Sequence, residues 1–370
     1  MTLYDERLAR TLNAIHMEPV DKIPFSYSGP AYVARSQGIT TAQYLNDFPA
    51  ATTATINFLK AHPGIDSIHS PIFTTSALRL LWFSRTCDPG KDIGENELWQ
   101  VAEAEVMKFE DYEKILEMGY GEWLHDFMVN RLGDPETGIL PFLQNAPITT
   151  QRCAEEAQVP VMNGLSNGTP FEGFCGGRQL MNFFMDIVEE PELVKDALDA
   201  AFAYVIEGYK QQLAMVKPLG AWVGGWRAAP ELMSHDMFME FVWPYLKTMV
   251  EVTIEAGTIP VLHFDSCWDS EIETLRELPA KKCLLMLDGS TDMRRAREIL
   301  DDRMCLMGDV PSSLLAFNTA DDCYNYVTKL IDDCGPKTGL IVSSGCDVPM
   351  NAKPENVDAI VQATIDYQVK

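Results

Sequence analysis

Short apolar runs that alternate with helical segments are the feature that most constrains the fold of this chain. The runs lie at 159–165, 221–224, 259–264, 283–288, 304–309 and 339–344. A strand that is apolar on both faces is typical of a parallel sheet, because the crossover helices bury both faces. Amphipathic helices are predicted between the runs, the longest over 191–216 and 230–256. This α/β alternation over 370 residues favours a (β/α)8 TIM barrel over an open sheet.

Two further segments lie outside the alternation. Residues 4–15 have helical spacing and are followed by Pro19 and Pro24, so they predict an N-terminal extension ahead of the barrel. Residues 75–150 fit the alternation least well and are expected to form an insertion near the barrel mouth. No internal repeat or low-complexity linker divides the sequence, and a single domain over 1–370 is therefore predicted.

The charge of the chain excludes several classes of partner. There are 54 acidic residues against 29 Lys and Arg, which gives a net charge of −25 at pH 7. Such a polyanion is repelled by nucleic-acid phosphates and by anionic lipid surfaces. The sequence has no apolar run long enough to span a membrane and no signal-peptide pattern at its start, so a cytoplasmic location is expected. Nine cysteines, an odd number, then predict reduced thiols rather than a disulfide framework.

Chemically versatile side chains follow the predicted strands. In a parallel barrel the catalytic groups lie at the C-terminal ends of strands, and four such ends carry His263, Asp288, Asp309 and Cys346. His263 and Asp265 are two residues apart and point to the same side if the strand continues through both. A histidine, a carboxylate and a thiolate on one rim can bind zinc and leave a fourth position open. Equally, His263 can be a hydrogen-bonded rim histidine and Cys346 a small core residue.

Aromatic residues and one cation also fall at or after strand ends. Trp222, Trp226 and Phe264 together suit a flat aromatic ligand, although an aromatic side chain there often packs under a loop. Arg227 is either a substrate anchor or a member of a structural salt bridge. Four histidines have no partner motif and are interpreted as structural, namely His62, His69, His125 and His235.

Several motifs resemble the uroporphyrinogen decarboxylase superfamily, over most of the chain. EPVDKIP at 18–24 resembles the entry into the first strand of that family, and FVWPYLK at 241–247 resembles the helix before its histidine-bearing strand. VLH at 261–263 and SGCDVP at 344–349 resemble the corrinoid-linked methyltransferase branch. In that branch a TIM barrel binds zinc through a His-x-Cys pair and a later cysteine.

The resemblance implies a ligand set with one departure. By position, His263 and Cys346 match two of the zinc ligands, and Asp265 stands where the first cysteine is expected. Cys267 is the alternative zinc ligand in place of Asp265. The corrinoid travels on a partner protein in this branch, and a homodimer is also compatible with the resemblance.

Two chemistries are open within the methyltransferase branch. One moves a methyl group from a methoxylated aromatic compound to Co(I) of the corrinoid protein, and the other moves it from methyl-corrinoid to a thiol such as coenzyme M. A His/Asp/Cys zinc is a harder Lewis acid than a sulfur-rich one and favours the ether reaction, with Asp288 or Asp309 supplying a proton. The decarboxylase itself fits poorly, because residues 25–32 lack the arginines that the family uses for a porphyrinogen with eight carboxylates. A barrel that only binds a ligand is the third interpretation.

Overall fold

Eight parallel strands form a closed barrel with helices around it. The structure, a computed structural model, describes residues 1–133, 135–335 and 338–369. The strands in chain order are β1 Ser26–Tyr27, β2 Ser67–Ile68, β3 Arg85–Cys87, β4 Gln100–Ala102, β5 Asn163–Asn167, β6 Gly220–Gly225, β7 Ile259–Phe264, β8 Leu284–Leu287, β9 Cys305–Val310 and β10 Leu340–Ser344. The helices that precede β5 are α1 Leu3–Ile15, α2 Pro30–Ser36, α3 Thr41–Asn46, α4 Phe48–Ala61, α5 Thr75–Trp82, α6 Asp111–Met118, α7 Tyr120–Asn130 and α8 Pro135–Arg152. Those that follow are α9 Pro170–Arg178, α10 Leu180–Glu189, α11 Pro191–Val216, α12 His235–Phe241, α13 Trp243–Glu255, α14 Met293–Leu300, α15 Ser312–Phe317, α16 Ala320–Cys334 and α17 Pro354–Asp366.

Two backbone bridges close the barrel. Strands β5 to β10 pair in sequence order as one parallel sheet, and β1 pairs with β2. The parallel bridge between Ile68 and Val161 joins β2 to the chain entering β5, and the bridge between Phe25 and Val342 joins β1 to β10. The predicted (β/α)8 TIM barrel is therefore confirmed, with β3 and β4 as a separate antiparallel hairpin.

Strand alternation decides which side chains enter the barrel. Val261 packs with Met286 and Ile341 in the small interior cluster, whereas Leu262 belongs to the large core between strands and helices. His263 continues the inward series from Val261. At the base of the barrel, Ile15 of α1 packs into the interior cluster, so the predicted N-terminal extension closes the end opposite to the mouth.

The insertion between β2 and β5 contains α5 to α8 and the β3–β4 hairpin, as the sequence predicts for the mouth region. Its hairpin end approaches the loop after β6, where Glu103 binds Arg227. Between β1 and β2, α3 and α4 are two separate helices rather than one, because Asp47 caps α4 by accepting a hydrogen bond from the backbone N–H of Ala50. Within the described ranges, no helix combines the length and hydropathy that crossing a lipid bilayer requires.

Candidate functional site

Three side chains with metal-binding atoms converge where β7 and β10 end. The ligand atoms of His263, Asp265 and Cys346 all lie within 4.8 Å of one another. His263 Nε2 is 3.2 Å from Asp265 Oδ1, and these two side chains are largely buried. Cys346 is exposed at the barrel mouth. His263 and Cys346 are more than 80 residues apart in the sequence, and the barrel brings them together because β7 and β10 end at the same rim.

Two glycines permit this close approach. Gly224 of β6 pairs with His263, and a Cβ at Gly224 would lie 2.0 Å from the His263 carbonyl oxygen. Gly345 precedes Cys346, and a Cβ there would lie 2.3 Å from the carbonyl oxygen of Asp288. Any side chain at either position would push a ligand-bearing strand end away from the cluster.

Neighbouring side chains orient the His263 ring. Its Nδ1 lies 2.9 Å from Sδ of Met286 on β8. A thioether sulfur only accepts hydrogen bonds, so Nδ1 is assigned as the donor and Nε2 faces Asp265 and Cys346. The ring of Trp222 lies 5.8 Å away, centroid to centroid, and forms an aromatic wall beside the cluster. His263 therefore presents the nitrogen that a metal ion would need.

The cluster is electrostatically coupled. Burial acts to lower the pKa of His263, but Asp265 and Cys346 outweigh it and hold that pKa well above its ordinary value. Burial likewise acts against ionisation of Asp265, yet His263 lowers the pKa of this carboxyl. Burial raises the pKa of the Cys346 thiol despite the opposing effect of His263. A side chain can be both solvent-accessible and densely surrounded when it lines a concave site, as Cys346 does. The metal-free cluster thus holds a proton on His263 and one on Cys346 at neutral pH.

Asp288 and Cys267 occupy different places around the cluster. Asp288 accepts hydrogen bonds from the backbone N–H groups of Ser266 and Ser290, at 2.9 and 2.7 Å. It therefore positions the loop that carries Asp265, and its role as a proton donor stays a prediction. The thiol of Cys267 interacts with Asp269, and in the described part of the chain it does not join the three-residue group.

Two of the predicted substrate contacts are corrected by the structure. Phe264 is 1% exposed and stacks on Trp268 with ring centroids 3.7 Å apart, because its position after the inward His263 turns it toward the helices. Arg227 is fully buried, and its guanidinium binds Glu103 at 2.7 Å and lies 4.2 Å from the Trp226 ring centroid. Neither side chain is open to the barrel mouth in this structure, whereas Trp226 is half-buried and stays a predicted contact along with Trp222.

Asp309 is also misplaced by the sequence prediction. Its carboxylate accepts a hydrogen bond of 2.8 Å from the hydroxyl of Tyr326 on α16, and its side chain therefore faces the surrounding helices. Burial raises the pKa of Asp309 despite this hydrogen bond. The carboxyl group of Asp309 therefore lies between the sheet and α16, on the side of the strand away from His263.

Three residues near the cluster, Asp347, Ser28 and His69, were not predicted from the sequence as members of the site. Asp347 follows Cys346 and accepts a hydrogen bond from the Ser28 hydroxyl, which lies just after β1. His69 is 6% exposed at the end of β2, where burial, together with the charge of His263, lowers its pKa to about 3. Strands β1 and β2 are two residues long each, and neither shows an apolar run that could have placed these side chains. The alternation of side chains along the strand, from Ser67 to His69, was the sequence signal that could have placed His69 inside the barrel.

A buried carboxyl group supports the mouth from outside the cluster. Glu172 of α9 is 1% exposed and accepts hydrogen bonds from Trp82 Nε1 and from the backbone N–H groups of Arg227 and Ala228. Burial raises the pKa of Glu172 to about 7 against these hydrogen bonds. Glu172 thus ties the insertion to the loop after β6.

Comparison with known proteins identifies relatives of this chain in one enzyme family. The profile of a family described as Uroporphyrinogen decarboxylase (URO-D) matches residues 135–367. The uroporphyrinogen decarboxylase of Chlorobium phaeobacteroides is 26% identical over 143 residues, 37% of this chain and 40% of that protein. That of Acinetobacter baumannii is 24% identical over 249 residues, 62% of this chain and 66% of that protein. The chain spans about half the length of several of the curated relatives that it matches.

A solved structure extends the likeness to the whole fold. A methyltransferase from Methanosarcina mazei has a TM-score of 0.72 and 18% sequence identity, and the match covers 98% of this chain and 98% of that one. At this identity the match shows a shared fold. The family profile covers well over half of the sequence, and the chain therefore belongs to the uroporphyrinogen decarboxylase family.

Proposed function

We propose that this protein is a methyltransferase that moves a methyl group from a methoxylated aromatic compound to Co(I) of a separate corrinoid protein. The observation that carries the proposal is the convergence of His263, Asp265 and Cys346 at the barrel mouth. The methyltransferase from Methanosarcina mazei, which shares the fold over nearly the whole chain, supports the general reaction class. The aryl ether, the corrinoid acceptor and the zinc ion are parts of the proposal.

The donor set fits zinc. An imidazole nitrogen, a carboxylate oxygen and a thiolate sulfur are zinc ligands, and three protein ligands leave a fourth position for substrate. Bound there, zinc supplies Lewis acidity toward the ether oxygen, and the Asp265 oxygen makes the site harder than a set with two thiolates. This agreement between donor chemistry and reaction favours ether cleavage over transfer to a thiol.

Residues around the cluster would position the aromatic substrate and the side chain of His263. The Trp222 wall beside His263 provides a face on which an aromatic ring can stack. Asp288 holds the backbone of Ser266 and so fixes the loop between His263 and the residues after Asp265. The Met286 sulfur keeps Nδ1 of His263 occupied, which leaves Nε2 directed at the site.

Decarboxylation of a porphyrinogen has less support, although the curated relatives carry that name. Residues 25–32 form β1 and the start of α2 and contain no arginine. The carboxylates of Asp265 and Asp347 lie at the mouth, and Arg227 is already paired with Glu103. A substrate with eight carboxylates would meet like charges there.

Cobalt spectroscopy tests the proposal. Reduced corrinoid protein is mixed with the enzyme and a panel of methoxyaromatics, and conversion of Co(I) to methyl-Co(III) is expected. His263→Ala and Cys346→Ser should abolish the conversion, while Cys267→Ser serves as the matched thiol control and should retain it. Reaction of only methyl-Co(III) with a thiol would instead assign the thiol-directed chemistry, and no reaction in either direction would contradict both.

A further inference from the structure

We infer that His69 is a substrate-contacting residue of this site, and that its Nε2 atom hydrogen-bonds a hydroxyl group carried by the methoxylated aromatic ring. The inference rests on the proposed function, because it names the substrate class of that same site. It is carried by the direction of the His69 side chain, by buried polar atoms without partners, and by the place of His69 across the barrel from His263.

The backbone turns the His69 side chain into the barrel. Ile68 belongs to the large core between strands and helices, so its neighbours Ser67 and His69 both point to the interior. The strand geometry continues through His69, because its N–H donates to the carbonyl oxygen of Tyr27 at 3.0 Å and its own carbonyl oxygen accepts from the N–H of Asn163 at 2.6 Å. These two hydrogen bonds hold the imidazole inside the barrel, just beyond the end of β2.

Unpaired polar atoms line the barrel interior. His69 is 6% exposed and Ser343 of β10 is fully buried, and neither His69 Nε2 nor Ser343 Oγ has a hydrogen-bond partner within the described parts of the chain. Ser343 lies two residues after Ile341 of the interior cluster, so its hydroxyl also points inward. Leaving such atoms unpaired is costly, so a ligand that pairs them gains affinity. A hydroxyl group suits either tautomer of the imidazole, because it can both donate and accept.

His69 faces the metal-binding cluster across the barrel. In the closed ring of strands, β5 and β6 separate β2 from β7, so the inward side chains of His69 and His263 lie on facing walls. Burial and then the charge of His263 lower the pKa of His69, so the two imidazoles lie within electrostatic reach of each other. Trp222 on β6 lies on the wall between them, with its ring 5.8 Å from that of His263. An aromatic ring stacked on Trp222 can therefore direct its ether oxygen to the cluster and a hydroxyl group to His69.

Ethers with and without a hydroxyl group test the inference. We would measure, by calorimetry, the affinities of methoxybenzene and of the methoxyphenol isomers for the zinc-loaded enzyme without corrinoid protein. The best methoxyphenol is expected to bind at least about 10-fold more tightly than methoxybenzene, which leaves the buried polar atoms unpaired. In His69→Leu this advantage should shrink to within about 2-fold, while the affinity for methoxybenzene stays within about 2-fold of the wild-type value.

Further variants separate hydrogen bonding from structure. His69→Asn keeps a hydrogen-bonding side chain and should retain a methoxyphenol advantage of at least about 3-fold. His125→Leu is the matched histidine control, since His125 is exposed on α7, and it should leave both affinities unchanged. Zinc content, measured by mass spectrometry, should match the wild type in all of these variants. Loss of zinc in His69→Leu would make His69 a metal ligand and would overturn its assignment as a substrate contact.

The outcomes separate the inference from the proposed function. Equal affinity of the wild type for methoxybenzene and every methoxyphenol, alongside cobalt methylation, would overturn the inference and leave aryl-ether demethylation intact. A methoxyphenol advantage that persists unchanged in folded His69→Leu would also overturn it, because another group would then set the preference. An advantage that depends on His69, without cobalt methylation by any ether, would support the inference and overturn the proposed function. Failure of every ether to bind would overturn both. The wild-type affinities need no variant, so misfolding of His69→Leu cannot hide the result.

Discussion

Replacing Asp265 by asparagine should lower the pKa of His263 in the metal-free protein. The pKa of His263 is held up by Asp265, with help from Cys346, against a burial effect that acts to lower it. Two unit charges 3.2 Å apart attract by about 5 kcal/mol at an effective dielectric constant of about 20. Asp265→Asn removes this attraction, so the pKa of His263 should fall.

The same substitution should change stability in a pH-dependent manner. A histidine whose folded pKa is raised stabilises the folded state fully below its unfolded pKa, and this stabilisation is lost as the pH rises through the folded value. Asp265, whose pKa is lowered, contributes above its unfolded pKa and loses its contribution in acid. The difference in unfolding free energy between wild type and Asp265→Asn should therefore be largest at about pH 6 and should shrink at alkaline pH.

Histidine NMR provides the assay. The chain has six histidines, and the His263 signal is assigned from its loss in His263→Ala. Asp126→Asn is the control, since Asp126 lies exposed on α7 and accepts a hydrogen bond from Asn130 rather than contacting His263. A His263 pKa that is unchanged or higher in Asp265→Asn would refute the proposed electrostatic coupling of the cluster.

Three other outcomes follow from the same geometry. Zinc affinity should rise with pH, and zinc binding should release about two protons near neutral pH, one from His263 and one from Cys346, because both pKa values are raised. Isothermal titration in buffers of different ionisation enthalpy measures the number of protons released. Zero release would contradict the raised pKa values. Glu172→Ala should destabilise the protein by about 2–4 kcal/mol in urea unfolding, because two buried backbone N–H groups and the half-buried Trp82 indole N–H lose their acceptor. A change under about 0.5 kcal/mol would be inconsistent with that role. Cys267→Ser should leave zinc stoichiometry unchanged, whereas loss of zinc would make Cys267 a ligand.

Much of the barrel could be predicted from local patterns. The apolar runs that become β6 to β10 are short, continuous and separated by periodic helices, and burial on both faces makes them unambiguous. Strands β1 and β2 could not be found in this way, since each has two residues and their interior positions are Ser26 and Ser67. The single domain over 1–370 stays a prediction.

The residues of the site could be predicted only where the barrel fold itself brings them close together. His263, Asp265 and Cys346 end up together because strand ends share one rim. Phe264 and Asp309 were predicted from their place at strand ends alone, and that place does not say which face of the strand a side chain occupies. Alternation from His263 already indicated the outward direction of Phe264. The partner of Arg227 lies 124 residues away in the insertion, and no local pattern reveals such a pair.

Zinc K-edge X-ray absorption on protein loaded with one equivalent of zinc tests the central claim most directly. We predict one sulfur scatterer at about 2.3 Å and nitrogen or oxygen scatterers, including one imidazole, at about 2.0–2.2 Å. In Cys346→Ser the sulfur shell should disappear, and in Cys267→Ser it should persist. A spectrum with no sulfur in the wild type, or with a sulfur shell that survives Cys346→Ser, would contradict a zinc site built from His263, Asp265 and Cys346.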